Sequence, residues 1–147
     1  PMQWDASKYA GFTAPDAPVE PWISVNPNHV EINAAEEFDD PDSVYTFYKK
    51  LIAMRHNSAT ISTGEWHLLA ADSDQVYAFT RTNGDDTILV VVNLTDRSAA
   101  LPSDVAELLS DGVNESQVLL STYDAMHSVK SIARGELARW EGVVIQL

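Results

Sequence analysis

The chain has 147 residues, 45% of them hydrophobic, and carries a formal net charge of −13 at pH 7. This length is near the modal size of one domain, and the apolar content is enough to bury a core, which argues against a disordered segment. No basic cluster is larger than the pair Lys49-Lys50, so nucleic acids and anionic membrane surfaces would be repelled. The absence of cysteine excludes disulfides, thiolate metal sites and cysteine nucleophiles.

The sequence carries no membrane or targeting signal. Its longest apolar run, residues 88–92, is too short to cross a bilayer, and residues 1–5 lack the basic and apolar stretches of a secretory signal. Together with the missing cysteines, this predicts a cytoplasmic protein. The chain opens with Pro1 and has Met2 second, and we therefore interpret it as cut from something longer.

Residues 1–39 are predicted to form a long ordered loop. They show no sustained helical or strand period, and a stretch of this length without regular structure is usually functional or disordered. Large apolar side chains argue for order, because such groups anchor a loop by covering a surface. They are Trp4, Tyr9, Phe12, Trp22 and Ile23.

A helix is predicted over residues 41–56. Asp40 is suited to cap its first amides, and Pro41 suits the first helical position. An apolar stripe follows at helical spacing. It consists of Val44, Phe47, Tyr48, Leu51 and Ile52. A stripe of this size is expected to need a covering partner.

From about Thr63 the apolar residues recur at every second position, which predicts antiparallel strands. The stretch Asn83-Gly84-Asp85-Asp86 is a strong hairpin signal. By this alternation Trp66, Leu68 and Ala70 share one apolar face, which we interpret as core. Strands are predicted over residues 66–70, 76–82, 87–95, 118–122, 131–134 and 143–147, with a helical turn at 104–110. Residues 88–92 are expected to form a central strand covered on both faces.

The sequence contains few motifs that are typical of catalytic, phosphate-binding or metal-binding sites. A Gly-rich phosphate loop, a G-x-S-x-G elbow and an H-E-x-x-H helix are all missing. The four histidines have no partner at ligand spacing, so no metal site is predicted. They are His29, His56, His67 and His127. The tripeptide Asn93-Leu94-Thr95 matches the N-glycosylation pattern, but it falls on a predicted strand, and we interpret the match as accidental.

Adjacent carboxylates occur in three places, which invites comparison with hydrolases that use two carboxyl groups. Each pair lies beside a helix cap or a hairpin turn, where acidic residues are favoured for local reasons. The pairs are Glu36-Glu37, Asp39-Asp40 and Asp85-Asp86. We therefore assign no catalytic residue to this chain, and we predict no cofactor.

The informative part of the sequence is its first third. Six blocks stand there in order: PMQWD at 1–5, AGFT at 10–13, PWISVNPN at 21–28, EIN at 31–33, DPDSV at 40–44 and YKKLIAMR at 48–55. This arrangement closely resembles the C-terminal third of the oligo-1,6-glucosidase and alpha-glucosidase branch of the alpha-amylase family of glycoside hydrolases. More loosely, the later strand segments and the turn Trp140-Glu141-Gly142 resemble that family's C-terminal sandwich.

The resemblance implies a mainly β chain: an antiparallel Greek-key β-sandwich over residues 59–147, preceded by the end of a (β/α)8 barrel over residues 1–58. The latter would be the loop after the eighth barrel strand and the last barrel helix. It also implies a retaining alpha-glucosidase that hydrolyses short oligosaccharides through two carboxyl groups. In the family those groups precede the PMQWD block, so this chain is expected to be inactive alone.

Within the chain, the resemblance points to Gln3 and Trp4 as the residues that approach the substrate pocket. An indole ring suits the apolar face of a sugar. The alternative is that Trp4 only anchors the loop, and this alternative is favoured for Phe12 and Trp22. The linkage specificity stays open, because relatives on the same scaffold isomerise sucrose or make trehalose.

The exposed helix face has several possible outcomes: it could be buried in a homodimer, fold back onto the sandwich, or leave the segment partly disordered. The sandwich could be a free-standing sugar-binding module, for which Trp66 and Trp140 are the candidates. It could also serve only to shield the hydrophobic surface of the barrel.

Overall fold

The computed structural model describes residues 1–147, which form two compact units, residues 1–53 and 54–147. In the first unit, residues 1–26 contain no helix or strand. A 3₁₀ turn at Pro27–Val30 and helix α1 at Ala34–Asp39 then interrupt the loop that was predicted to reach residue 39. That prediction was wrong because Asn26 and Asn33 each start a turn, accepting hydrogen bonds from the amides of Asn28 (3.2 Å) and Glu36 (3.1 Å).

Helix α2 spans Val44–Asn57 and begins three residues later than predicted. Its first turn is capped by Ser43, whose hydroxyl oxygen accepts from the Thr46 amide (3.1 Å). Asp40 forms a separate turn before the helix, accepting from the Asp42 amide (2.9 Å). No residue of α2 is buried. Within its apolar stripe, Val44, Tyr48 and Ile52 are each more than half exposed.

The second unit is built on one five-stranded antiparallel sheet, in agreement with the mainly β prediction. Its spatial order is β1-β2-β3-β7-β5. The two remaining strands, β4 and β6, form a separate antiparallel ribbon. The strands are β1 Glu65–Leu69, β2 Val76–Asn83, β3 Asp86–Asn93, β4 Ala99–Ala100, β5 Val118–Ser121, β6 Glu136–Leu137 and β7 Gly142–Gln146. The hairpin between β2 and β3 is confirmed: Asn83 pairs with Asp86 across Gly84, whose φ of +63° suits a two-residue loop.

Three helices complete the second unit: α3 at Ala59–Thr63, α4 at Ser103–Leu108 and α5 at Ala125–Ala133. The helical turn predicted near α4 is confirmed. The strand predicted at residues 131–134 is wrong, because these residues fall at the end of α5. That helix begins at Asp124, whose carboxylate accepts from the His127 amide (2.7 Å).

One face of the sheet, here the inner face, carries the core. Side chains of β2, β3 and β7 pack there against residues of β4, α4, α5 and β6. The most deeply buried members are Leu89, Val91, Leu137, Val143 and Ile145. The inner face is thus one layer of a two-layer unit, and the ribbon with α4 and α5 is the other.

The opposite face of the sheet, here the outer face, is also apolar, and its side chains on β1 are exposed, which overturns the assignment of Trp66 and Leu68 to the core. Trp66 is 50% exposed. Leu69, which lies on the inner face of the same strand, is 9% exposed and enters the core. The predicted alternation of side chains along β1 is correct. The prediction of which face is buried is wrong, because both faces carry apolar side chains. On the central strand β3 the outer face is partly covered: Ile88 is buried there, whereas Val90 and Val92 stay half-buried.

No helix in the structure has the length and apolar character needed to traverse a lipid bilayer.

Candidate functional site

The segment Gln3-Trp4 is fixed by backbone hydrogen bonds to the start of α1. The Ala34 amide donates to the Gln3 carbonyl (2.9 Å), and the Ala35 amide donates to the Trp4 carbonyl (3.0 Å). These amides belong to the first turn of the helix, whose N–H groups have no partner within the helix itself. The loop and α1 therefore hold each other in place.

The Gln3 side chain braces the same region. Its amide nitrogen donates to the Asn28 side-chain oxygen (3.1 Å) and to the Ile32 carbonyl. Gln3 also lines a groove of about 270 Å³ together with Pro1, Met2, Ile32, Asn33, Ala34, Glu37 and Tyr45. Because its nitrogen is engaged, the amide oxygen is the group that Gln3 has left for a ligand.

Trp4 projects from a tight turn and its side chain is 53% exposed. Its amide donates to the Ala10 carbonyl (2.8 Å), which closes the turn. Gly11 has a φ of +64°, and a Cβ at this position would lie 2.7 Å from a carboxylate oxygen of Asp5, so only glycine fits. Hydrogen bonds from Ser7 to that carboxylate hold the pKa of Asp5 below its ordinary value.

The other large side chains of the loop behave differently from one another. Tyr9 is buried, and the Lys8 ammonium lies 4.5 Å from the centre of its ring. Phe12 is about half exposed, and Trp22 is 93% exposed. Within this chain the Trp22 ring therefore packs on no other residue, and its role as an anchor to the barrel stays a prediction. Trp4 keeps a free ring surface, which both stacking on a ligand and packing on another surface require.

One carboxylate of each adjacent pair is engaged by a neighbouring group of the fold. Glu37 accepts from the Tyr45 amide (3.1 Å), and Asp86 accepts from the side chains of Gln146 (2.7 Å) and Thr60. A glycosidase needs two carboxyl groups on opposite sides of the scissile bond. No three His, Asp or Glu side chains come close enough together to hold a metal ion.

The structure reveals a buried polar cluster that sequence reasoning missed. Glu141 is fully buried, and its carboxylate accepts from the Ser128 hydroxyl (2.7 Å) and from the Ala138 amide (2.7 Å). The Nε2 atom of His127 lies 3.8 Å from the same carboxylate, and the His127 ring stacks on Tyr123 at 4.3 Å. The cluster thus fastens α5 to the turn that precedes β7.

The cluster contains a serine, a histidine and an acid, yet its geometry is not that of a nucleophilic hydrolase. In such enzymes the hydroxyl donates to the histidine, which the acid orients. Here Ser128 donates to Glu141 directly, and both side chains are fully buried. The only sequence signal was the turn Trp140-Glu141-Gly142, because the partners of Glu141 come together only in the fold.

The sequon at Asn93 is also explained by its surroundings. The side chain is fully buried, and its amide nitrogen donates to the carbonyls of Arg97 (2.7 Å) and Ala138 (2.8 Å). A glycan has no access to a nitrogen held in this way. The asparagine thereby joins the loop that follows β3 to the loop that precedes β7.

Two family models match the chain. Residues 1–64 match the catalytic domain of the alpha-amylase family, and residues 66–111 match the C-terminal domain of maltogenic amylase. The two matches adjoin near the start of β1. The chain therefore contains the end of a catalytic-domain match followed directly by a C-terminal-domain match.

Individual relatives agree with these models. The chain is 35% identical over its whole length to an oligo-1,6-glucosidase of Parageobacillus thermoglucosidasius, and 34% identical to one of Bacillus cereus. It covers 25% of each of these proteins. Among solved structures, a trehalulose synthase MutB from Pseudomonas mesoacidophila matches 99% of the chain with 35% identity and a TM-score of 0.74, and the match covers 24% of that protein.

The relatives extend over both units, whereas the two family models together reach residue 111. The chain spans about a quarter of the length of the curated relatives it matches. Over that quarter it is homologous to them from end to end, and the chain belongs to the alpha-amylase family of glycoside hydrolases.

Proposed function

We propose that the chain is the C-terminal part of a retaining alpha-glucosidase that hydrolyses α-1,6-glucosidic bonds of short oligosaccharides. The observation that carries this proposal is the 35% identity to an oligo-1,6-glucosidase over all 147 residues. A glucan 1,6-alpha-glucosidase of Streptococcus dysgalactiae, 37% identical over 106 residues, supports the same linkage. The substrate class of the whole enzyme is therefore α-glucoside oligosaccharides.

In this proposal residues 1–58 are the end of the catalytic barrel, and residues 59–147 are a Greek-key C-terminal sandwich. The extent of the catalytic-domain match, residues 1–64, supports this division. The catalytic carboxyl groups lie outside the chain, which alone is inactive. Support comes from the adjacent carboxylates described above, since one of each pair is engaged by a neighbouring group of the fold. Gln3 and Trp4 contact the substrate, Gln3 through its free amide oxygen and Trp4 through its exposed ring.

A sucrose isomerase is the second candidate for the whole enzyme. The likeness to trehalulose synthase MutB, at 34% identity over the full chain and a TM-score of 0.75, is as strong as the likeness to the glucosidases. Both activities begin with attack on an α-glucosidic bond, and they differ in whether water or the released sugar accepts the glucosyl group. That choice depends on residues beyond this chain.

The experiment extends the chain upstream with the remainder of its catalytic barrel and supplies isomaltose, maltose and sucrose in turn. The proposal predicts glucose release from isomaltose at the highest kcat/KM and little rearrangement of sucrose. Conversion of sucrose to isomers, with slow hydrolysis of isomaltose, would contradict it and favour the isomerase. In the same protein, Trp4→Ala is expected to raise KM for isomaltose about tenfold, and the exposed Trp22→Ala to leave it unchanged.

A further inference from the structure

The outer face of the sheet carries an unpartnered row of aromatic rings, here called the aromatic strip: Trp66, Phe79 and Tyr77. The ring centres of Trp66 and Phe79 lie 6.4 Å apart, and those of Phe79 and Tyr77 lie 5.6 Å apart. Trp66 and Tyr77 are 50% and 44% exposed. The strip therefore offers a continuous apolar surface across β1 and β2.

A groove of about 240 Å³ lies at the Tyr77 end of the strip. Its apolar wall consists of Leu68, Tyr77 and Leu94, which are all exposed, and its polar wall includes Asp74 and Gln75. The Asp74 carboxylate accepts no hydrogen bond and forms no ion pair. The groove therefore combines an apolar wall with a carboxylate, that of Asp74, which is available to accept a hydrogen bond.

The backbone of the groove is fixed by a contact from α4. Ala70, which lines the groove, has a φ of +55°, a conformation that non-glycine residues seldom adopt. Its amide donates to a carboxylate oxygen of Asp104 (2.8 Å), and this charge-assisted bond stabilises the turn. The groove is therefore formed before any ligand arrives, which lowers the entropic cost of binding.

The combination of groups selects the chemistry of the occupant. A sugar presents an apolar ring face, which packs on an aromatic side chain, and hydroxyl groups, which donate to a carboxylate. A net charge of −13 repels anionic ligands and disfavours a second copy of the same chain. A neutral oligosaccharide supplies both the apolar ring face and the hydroxyl donors, and the negative charge of the chain does not repel it.

We propose that the aromatic strip and its groove bind a neutral α-glucan oligosaccharide, with sugar rings on Trp66 and Tyr77 and a sugar hydroxyl donating to Asp74. The choice of an α-glucan among neutral sugars rests on the proposed function. The site itself needs no residue of the first unit. It uses Trp66, which the sequence alternation had assigned to the core and which the structure leaves 50% exposed.

The test uses the 147-residue chain as it stands, titrated calorimetrically with isomaltotriose and run through native gels that contain soluble dextran. The proposal predicts measurable binding and retardation. Trp66→Ala and Tyr77→Ala should each weaken binding about tenfold or more, and Asp74→Asn should weaken it less. Trp22→Ala, which removes a more exposed indole outside the site, should bind like the parent chain.

Two results would overturn the proposal. One is the absence of binding and retardation in the 147-residue chain, or binding by this chain that disappears in the upstream-extended protein, since the strip would then be covered by the rest of the enzyme. The other is a sedimentation experiment in which the chain is dimeric and Trp66→Ala makes it monomeric, since the strip would then be a self-association surface. Neither result bears on hydrolysis by the upstream-extended protein, so failure of this site is distinguishable from failure of the proposed function. Circular dichroism of each variant controls for folding.

Discussion

The two units of the chain are held together in different ways. In residues 54–147 buried hydrophobic side chains from sheet, ribbon and helices form one core. In residues 1–53 the only buried hydrophobic side chains are Tyr9 and Ala10. That unit depends on caps and backbone hydrogen bonds, such as those from α1 to Gln3 and Trp4.

This difference matters because hydrophobic burial is the dominant favourable term in folding, whereas a single hydrogen bond adds little net stability. We therefore expect the second unit to supply most of the free energy of unfolding. The first unit is expected to be the part that presents side chains to a ligand or to another surface.

The core of the second unit gives the largest effect. Leu89 is fully buried on the inner face of β3, so Leu89→Ala should lower the free energy of unfolding by about 3 kcal/mol. Its matched control is Ile52→Ala on the exposed stripe of α2, which should change stability by less than about 0.5 kcal/mol. Urea unfolding followed by circular dichroism measures both. Equal effects would show that the stripe is covered in solution.

The buried Glu141 cluster gives the next effect. Glu141→Gln keeps one oxygen to accept from the Ala138 amide and turns the other into an N–H donor, so the Ser128 hydroxyl loses its charged acceptor and must turn toward Ser121. We expect a loss of about 2 kcal/mol in the free energy of unfolding. The exposed Glu65→Gln is the control and should be near neutral. A Glu141→Gln protein as stable as the parent chain would mean that the cluster does not fasten α5 to β7.

A smaller effect is expected from the cap of α1. Asn33 accepts from the Glu36 amide (3.1 Å) and donates to the His29 carbonyl (2.8 Å). Asn33→Ala should cost about 1 kcal/mol of local stability. Hydrogen exchange should become faster at the Glu36 amide and stay unchanged at the amides of β3. Faster exchange throughout the chain would contradict the separation of the two units.

The smallest effect concerns the pH dependence of the turn that presents Trp4. The pKa of Asp5 lies below its ordinary value of 3.8, because Ser7 donates hydrogen bonds to the ionised carboxylate. The resulting stabilisation is complete above that ordinary value and is lost as the pH falls through the lower folded-state pKa. Trp4 fluorescence should therefore change below pH 3.8. In Asp5→Asn that change should vanish; its persistence would assign the transition to another group.

The strands were predictable because their signals are local. Alternation and the turn at Gly84 identified β2 and β3, and short apolar runs identified β5 and β7. The covered face of β1 was not predictable, since Trp66 and Leu69 are both apolar and face opposite ways. The start of α2 was ambiguous because Asp40 and Ser43 are both good caps. The partners of Glu141 lie far apart in sequence, and only the fold brings them together.

For the candidate site, the sequence supplied Gln3 and Trp4 through a family resemblance and not through their chemistry. The structure adds that the Gln3 nitrogen is engaged and that the Trp4 ring is free. Their contact with substrate stays a prediction. The aromatic strip was hidden in the sequence because an exposed sheet face and a buried one can have the same alternation.

The most direct test of the account measures the initial rate of isomaltose hydrolysis by the 147-residue chain and by the same chain extended upstream through the catalytic barrel. We predict turnover by the extended protein and none by the chain alone, because the proposed function places the two carboxyl groups of the reaction outside these residues. Turnover by the chain alone would contradict the account and place the catalytic groups among its own Asp and Glu residues.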